Sequence, residues 1–403
     1  MGLKNGIHKI EIFSYNVFLQ WERGMMYKKK VFCSVIFIGM ILWIIVDSCR
    51  PDHLFSAGEN RLLQQKPLFS GQGFLEETYQ QEYEKYLSDQ FLFRDKWVSL
   101  KTRLEILSGK KEINGVYLAN DGSLIERHLP SEIDADIAEK KLYELNNFIE
   151  MYEHFNEKKT GETDIKVMLV PTADIIYREK LPPYAGYFDQ TAYLDKGEDI
   201  LGENHLINVE AALSEHSDEY LYYRTDHHWT TLGAFYGYQK YCEVMEENSG
   251  ISFQRTEYVL QTVSDDFCGS LARKTQLYKN PDEIILYRMS EDQDVKVCFD
   301  GVYESGRGIY DFDAVASARD QYEIFFGGNH GIVEIERECE NQKTLLVIKD
   351  SYANSLIPFL IPDYEEIVIV DPRYYRGNIK NLIWDGNFTQ ILILYNVIHF
   401  IDA

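Results

Sequence analysis

The chain has 403 residues, and its 65 Asp and Glu outweigh 41 Lys and Arg to give a formal net charge of −24. That length is enough for one large core or two smaller ones, and so acidic a balance argues against nucleic acid and against close contact with anionic lipid. Aromatic residues make up 14%, with 29 tyrosines, which leaves rings for exposed surfaces where they often stack on sugars.

Residues 1–24 read as neither a targeting peptide nor a domain, and Met25 or Met26 is an alternative start. The codons for Glu22-Arg23-Gly24 can spell a purine-rich ribosome-binding sequence, as in a bacterial gene. Lys28-Lys29-Lys30 then precedes an uncharged run from Val31 to Val46, the pattern of a signal-anchor with its lysines in the cytoplasm and the remaining chain outside. The run is shorter than the roughly 20 residues of a typical span, so a signal-peptide h-region and a buried core helix are the alternatives. No Ala-x-Ala site follows, and Asp47 fits a lipoprotein site at Cys49 poorly. Beyond Cys49 the charge is 35 basic against 62 acidic residues, a net of −27. Cys242, Cys268, Cys298 and Cys339 would lie outside, as disulfides or as single buried thiols, and their spacings match no metal motif.

Arg50 to Phe69 is a polar linker, and Leu75 to Leu107 carries apolar residues at mixed helical spacing, predicting helices that connect the membrane to the main domain. Residues 115–118 and 123–126, joined by Asn120-Asp121-Gly122, predict a hairpin. Ile137 to Glu153 predicts an amphipathic helix, Ile165 to Val170 a buried strand, Glu219 to Tyr223 a short strand and Thr231 to Glu246 a helix. Leu345 to Ile348, Ile367 to Val370 and Ile391 to Tyr395 are apolar runs of the kind found in a covered parallel sheet. The expected organisation is a cytoplasmic N-terminus at 1–30 and a transmembrane signal-anchor at 31–47. An extracytoplasmic linker with helices follows at 48–110, then an α/β catalytic domain at 111–403 with an insertion or cap at about 251–319.

Asp226 and His228 stand two residues apart before a helix that Thr230 or Thr231 can cap. On an extended or turned backbone such a pair points the same way, so the carboxylate can orient the imidazole and leave its other nitrogen free as a base. Ser351 follows the strand that ends at Ile348, at the start of a predicted helix, where a hydroxyl is exposed at the carboxyl edge of a sheet. The chemistry implied is acyl transfer through a serine nucleophile. Each piece also has a plain structural reading, Asp-x-His as a capping pair, Asp-Ser as a helix cap and Gly327-Gly328-Asn329-His330 as an ordinary turn. The adjacent His227 opens a metal alternative with a third ligand from His205, His216 or His330, although no known metal spacing supports it.

Taken together, Asp226-His227-His228-Trp229, Gly327-Gly328-Asn329-His330, Lys349-Asp350-Ser351-Tyr352-Ala353-Asn354 and Asp371-Pro372-Arg373-Tyr374-Tyr375 resemble the DHHW family, grouped with alginate O-acetyltransferase-like, SGNH-hydrolase-type proteins. The resemblance extends to Glu59-Asn60-Arg61, Tyr86-Leu87-Ser88-Asp89-Gln90-Phe91 and Gly115-Val116-Tyr117-Leu118. It implies an SGNH-hydrolase-like parallel sheet flanked by helices, with Asp226, His228 and Ser351 as the triad of an extracytoplasmic enzyme that moves acetyl groups on polysaccharide hydroxyls. It further implies substrate or oxyanion contacts from Gly328, Asn329, Arg373 and Trp229, no cofactor and no metal. By analogy it also implies a multispanning membrane O-acyltransferase as partner, beside the polysaccharide substrate and the membrane. The order is permuted relative to ordinary SGNH hydrolases, and Lys-Asp-Ser stands where Gly-Asp-Ser is usual. An acetyl esterase with the same triad, or a non-catalytic polysaccharide-binding or assembly protein, are the competing readings.

Overall fold

The computed structural model describes residues 28–402 apart from 44, 48, 57–60, 70, 72–73, 75–77, 157–162, 250–252, 254–255, 290–294, 318–319 and 340. Residues 1–24 and the alternative starts Met25 and Met26 lie outside the described residues. The chain divides into two units, residues 1–56 with 61–94, and residues 57–60 with 95–403.

In the first unit, α1 (Lys28–Asp47) is a 20-residue helix long and apolar enough to cross a membrane, a property shared by anchors and signal sequences. Two short strands follow, β1 (Phe55–Ser56) and β2 (Arg61–Leu62), paired antiparallel. The next helix is α2 (Thr78–Gln90). Its last two side chains are buried because they serve the linker's backbone. Asp89 accepts from the Gln64 amide at 2.8 Å, and Gln90 accepts from the His53 amide at 2.8 Å while donating to the Gln64 carbonyl at 3.1 Å. The Asp-Gln pair noticed in the sequence is thus a clamp on an irregular segment.

The second unit opens with α3 (Arg94–Leu107) and a three-stranded antiparallel sheet of β3 (Glu112–Ile113), β4 (Val116–Leu118) and β5 (Leu124–Glu126). The expected hairpin is there, and its turn needs Gly122 at φ +87°, with Asp121 accepting from the Ser123 amide at 2.9 Å. The amphipathic run becomes α4 (Ala135–Asn156), which buries Ala138, Leu142, Ile149 and Tyr152 along one face.

The main sheet has seven strands. Parallel strands β6 (Asp164–Val170), β12 (Thr344–Lys349), β13 (Glu366–Val370) and β14 (Gln390–Asn396) stand in the order β13-β12-β14-β6. Beside β13 lie β11 (Ile332–Arg337), β9 (Val295–Phe299) and β10 (Val302–Tyr303), all antiparallel. The sheet is therefore mixed, and the wholly parallel expectation holds only for these four strands. They are the ones written as unbroken apolar runs, because both of their faces are covered. Met168, Val347, Ile369 and Leu392 pack on one face; Val167, Leu346, Val368 and Ile393 pack on the other. The second face is covered by α4 and α5 (Gln190–Leu201), and the first by α6 (Thr231–Ser249).

Two expectations change in detail. Glu219 to Tyr223 does not form a strand; only an isolated bridge joins Tyr222 to Trp229, because the Tyr177 hydroxyl and the His228 carbonyl take up its amides. The loosened stretch at 251–319 has two fates. Residues 258–289 form a separate ribbon of β7 (Tyr258–Phe267) and β8 (Asp282–Met289) around the short helix α7 (Ser270–Thr275), while 295–303 supply edge strands to the main sheet. None of the six cysteines is in a disulfide.

Candidate active site

The loop ahead of α6 is held from three directions. Leu124 of β5 donates to the Arg224 carbonyl at 2.7 Å, and Asp282 at the start of β8 accepts from the Arg224 and Thr225 amides at 2.7 and 2.8 Å. From α7, the Ser270 amide reaches the Asp226 carboxylate at 2.6 Å. Thr230 caps α6, its hydroxyl accepting from the Gly233 amide at 3.3 Å. Asp226 then accepts from His228 twice, from the backbone amide at 3.0 Å and from Nδ1 at 2.6 Å. Gly269 makes room for this, since a Cβ there would sit 2.3 Å from the Asp226 carboxylate.

The second half comes from the carboxyl end of β12. Ser351 opens a five-residue 3-10 turn, Ser351–Ser355, where a helix was expected. Asp350 caps it by accepting from the Tyr352 amide at 2.8 Å, and its other oxygen accepts from the Asn396 amide, the Asn396 side chain and His399 Nδ1 at 3.1, 2.8 and 3.0 Å. With the turn fixed, Ser351 Oγ lies 2.8 Å from His228 Nε2. Asp226, His228 and Ser351 form one hydrogen-bonded chain assembled from sequence positions more than a hundred residues apart.

Its surroundings set the protonation states. Burial alone would raise the Asp226 pKa, but the imidazoles of His227 and His228 and the hydrogen bonds it accepts hold it well below the usual carboxylate range. Burial, then the adjacent His227, push His228 down to about 4, against the pull of Asp226. His228 is therefore neutral near pH 7, with Nδ1–H directed at Asp226 and the Nε2 lone pair at Ser351. The Tyr322 ring stacks on it at 3.9 Å and 8°, and the Tyr322 hydroxyl donates to the Ser351 carbonyl at 3.2 Å. The Tyr352 hydroxyl donates to the His227 carbonyl, a second tie between the two halves.

The other anticipated residues fall elsewhere. Trp229 is fully buried, its indole N–H donating to the Tyr352 carbonyl at 2.8 Å, so it braces the site from the core and offers no face to a substrate. Gly328 commits its amide to the Phe325 carbonyl at 3.3 Å, and Asn329 is exposed. The positive φ of Gly327 and Gly328, +72° and +109°, marks a turn entering β11. Arg373 sits beyond β13 and grips Asp371 through two hydrogen bonds of 2.9 and 2.7 Å, with 42% of its side chain exposed. Lys349, lowered by burial to about 8, lies between Asp371 at 3.6 Å and Asn354 at 2.8 Å. The third ligands imagined for a metal at His227 are engaged elsewhere: His205 with the Ile165 carbonyl, His216 with Glu219, and His330 with Asp300. Among the described residues the ligand atoms of Asp226, His227 and His228 do lie within 4.8 Å of one another. Those of Asp226 and His228 are already bonded to each other and to Ser351. Sequence reasoning missed Tyr322, Ser270, Asp282 and Asn396; only Asn396, at the carboxyl end of an apolar strand, carried a positional signal.

A hydrogen-bonded Asp-His-Ser chain at the carboxyl edge of an α/β sheet has the arrangement of a serine-nucleophile site. Residues 201–370 match the family model described as DHHW protein, so the DHHW resemblance is shown over that segment. A crystal structure of a DHHW family protein from Eubacterium siraeum DSM 15702 is similar with a TM-score of 0.58 and 25% identity, over 72% of this chain and 93% of that one. Bacillus cereus PatB1 shares the fold with a TM-score of 0.59 and 21% identity, over 71% of this chain and 96% of that one. The same protein solved with a sulfonyl adduct gives 0.58 and 20%, over 71% and 97%. No curated protein matches the sequence.

Proposed function

We propose that the chain is a serine-dependent O-acyltransferase that places acetyl groups on hydroxyls of an extracytoplasmic polysaccharide. The observation that carries this is the continuous chain Asp226–His228–Ser351, with links of 2.6 and 2.8 Å. His228 Nε2 takes the Ser351 proton as Oγ attacks the acetyl carbonyl; the proton then goes to the departing donor oxygen, leaving acetyl-Ser351. A sugar hydroxyl next gives its proton to His228 and attacks the ester, which returns Ser351 to its starting form. Asp226 keeps His228 in the required tautomer and balances the imidazolium formed in each half. The DHHW resemblance supports the acetyl group and the polysaccharide. The apolar α1 supports a single-pass anchor with this site on the outer face; a multispanning membrane O-acyltransferase as the source of acetyl groups is part of the proposal by analogy with the DHHW resemblance alone.

Deleting the gene should abolish acetylation of the cell's exported polysaccharide, with restoration by wild type and not by Ser351→Ala. Equal restoration by Ser351→Ala would reject the catalytic serine. A sulfonyl fluoride should label Ser351, seen as an adduct mass on the peptide that contains it. Release of free acetate with no acetylated sugar, in the presence of a donor and oligosaccharides, would instead assign an esterase.

A further inference from the structure

Against the Asp226 side of the triad lies a cavity of about 220 Å³. It opens at the carboxyl edge of β12, β14 and β6, the edge where α/β sheets bind ligands, and touches the triad's own loops through Asp226, His227 and Tyr352. Three imidazoles line it, and each is gripped from behind through Nδ1. His128 meets Asp174 at 3.1 Å, His399 meets Asp350 at 3.0 Å and His227 meets the Ser270 hydroxyl at 2.7 Å. A carboxylate only accepts, so Nδ1 carries the hydrogen in His128 and His399, and Nε2 is the nitrogen left outward. Glu126, which accepts from the Lys274 ammonium at 2.9 Å, and Asp402 add carboxylates, while no lysine or arginine is among the lining residues. Against the lowering effect of burial, Asp174 and Glu126, the latter 4.0 Å from Nε2, raise the His128 pKa, so a positive charge on this ring is already matched by carboxylates.

We propose that this cavity holds one ring of the acceptor polysaccharide and selects a ring bearing hydroxyl or amino donors without a carboxylate: a neutral hexose or an amino sugar, not a uronate. This rests on the acyl-transfer reading of Ser351. Hydroxyl hydrogens would satisfy the outward imidazole nitrogens and Glu126, whereas a uronate would meet the carboxylates of Glu126, Asp402 and Asp226 with Lys274 already paired to Glu126. The volume lies below the roughly 300–1,000 Å³ of sites for drug-sized ligands, which suits a single ring.

The test uses the full chain in detergent, p-nitrophenyl acetate as donor, and three tetrasaccharides as acceptors, built from glucose, glucosamine or galacturonate. The glucose and glucosamine chains should be acetylated with a KM at least about tenfold below that of the galacturonate chain, the scale of one hydrogen bond to a charged group. His399→Ala and Glu126→Gln, checked for wild-type melting temperature, should each raise the KM for the glucose chain about tenfold while kcat changes less than KM. Equal or better use of galacturonate by wild type, or an unchanged KM in both variants, would overturn the proposal. Donor hydrolysis without sugar separates the two readings. If wild type hydrolyses the donor through Ser351 but shows no acceptor preference, the cavity assignment alone fails; if no Ser351-dependent hydrolysis occurs, both fail together.

Discussion

Two aspartate–histidine pairs flank Ser351, and they are used differently. Asp226 and His228 are both buried, 2.6 Å apart, and the free imidazole nitrogen points at a hydroxyl. Asp350 and His399 are 3.0 Å apart, but His399 is 41% exposed and lines a cavity, while Asp350 spends most of its capacity on backbone and amide donors. The same two residue types set an imidazole nitrogen on a serine hydroxyl in one place, and make a turn anchor with a half-exposed ring in the other. Burial and the identity of the next atom decide which, since an imidazole can act as base only toward a proton within hydrogen-bond reach.

The contrast can be broken experimentally. Ser351→Ala should reduce donor hydrolysis by about 10,000-fold or more, and Asp226→Asn by a similar factor through the wrong His228 tautomer. A loss below tenfold in either would remove the triad. Gly269→Ala should cost about 100-fold, because its Cβ forces the Asp226 carboxylate aside and small misplacements at a reacting centre are costly. Near-normal kinetics would show that Asp226 can move freely. Asp350→Ala should act mainly on folding, with about 3–5 kcal/mol lost in denaturant titration as a buried, multiply bonded carboxylate disappears. Wild-type stability in that variant would contradict the anchor role.

The smallest effect concerns pH. The reaction needs neutral His228, held near 4, so donor hydrolysis should persist below the ordinary imidazole pKa of about 6.5 and decline only toward pH 4. The sign for stability follows: below about 6.5 an unfolded His228 takes up a proton that the native one refuses until about 4, so this group favours unfolding progressively across that window. A rate profile with its acid limb at 6.5 would instead place His228 in a solvated environment.

Much of the fold was legible because strand and helix patterns are local. The apolar runs at 165–170, 345–348, 367–370 and 391–395 lie within β6, β12, β13 and β14, each within a residue or so of its ends. Asp226, His228 and Ser351 were legible for a different reason: a polar residue at a strand end or before a helix is conspicuous by position. Trp229 misled because residue type says nothing about whether an indole faces water. The antiparallel half of the sheet was also hidden, since β9 and β11 alternate in burial and resemble any half-exposed ribbon.

The sequence by itself determined the covered strands, the helices beside them, the apolar segment at the N-terminus and the three residue types needed for a serine triad. Each of these depends on neighbours within a few positions. Only the tertiary structure decided that Trp229 belongs to the core. It alone brought Asp282 and Ser270, read as part of a cap, against the loop that carries Thr225 and Asp226, and gathered His128, His227 and His399 around one cavity. Those outcomes rest on contacts between chain segments 40 to 270 residues apart, and no local pattern encodes the direction in which a side chain will point across such a distance.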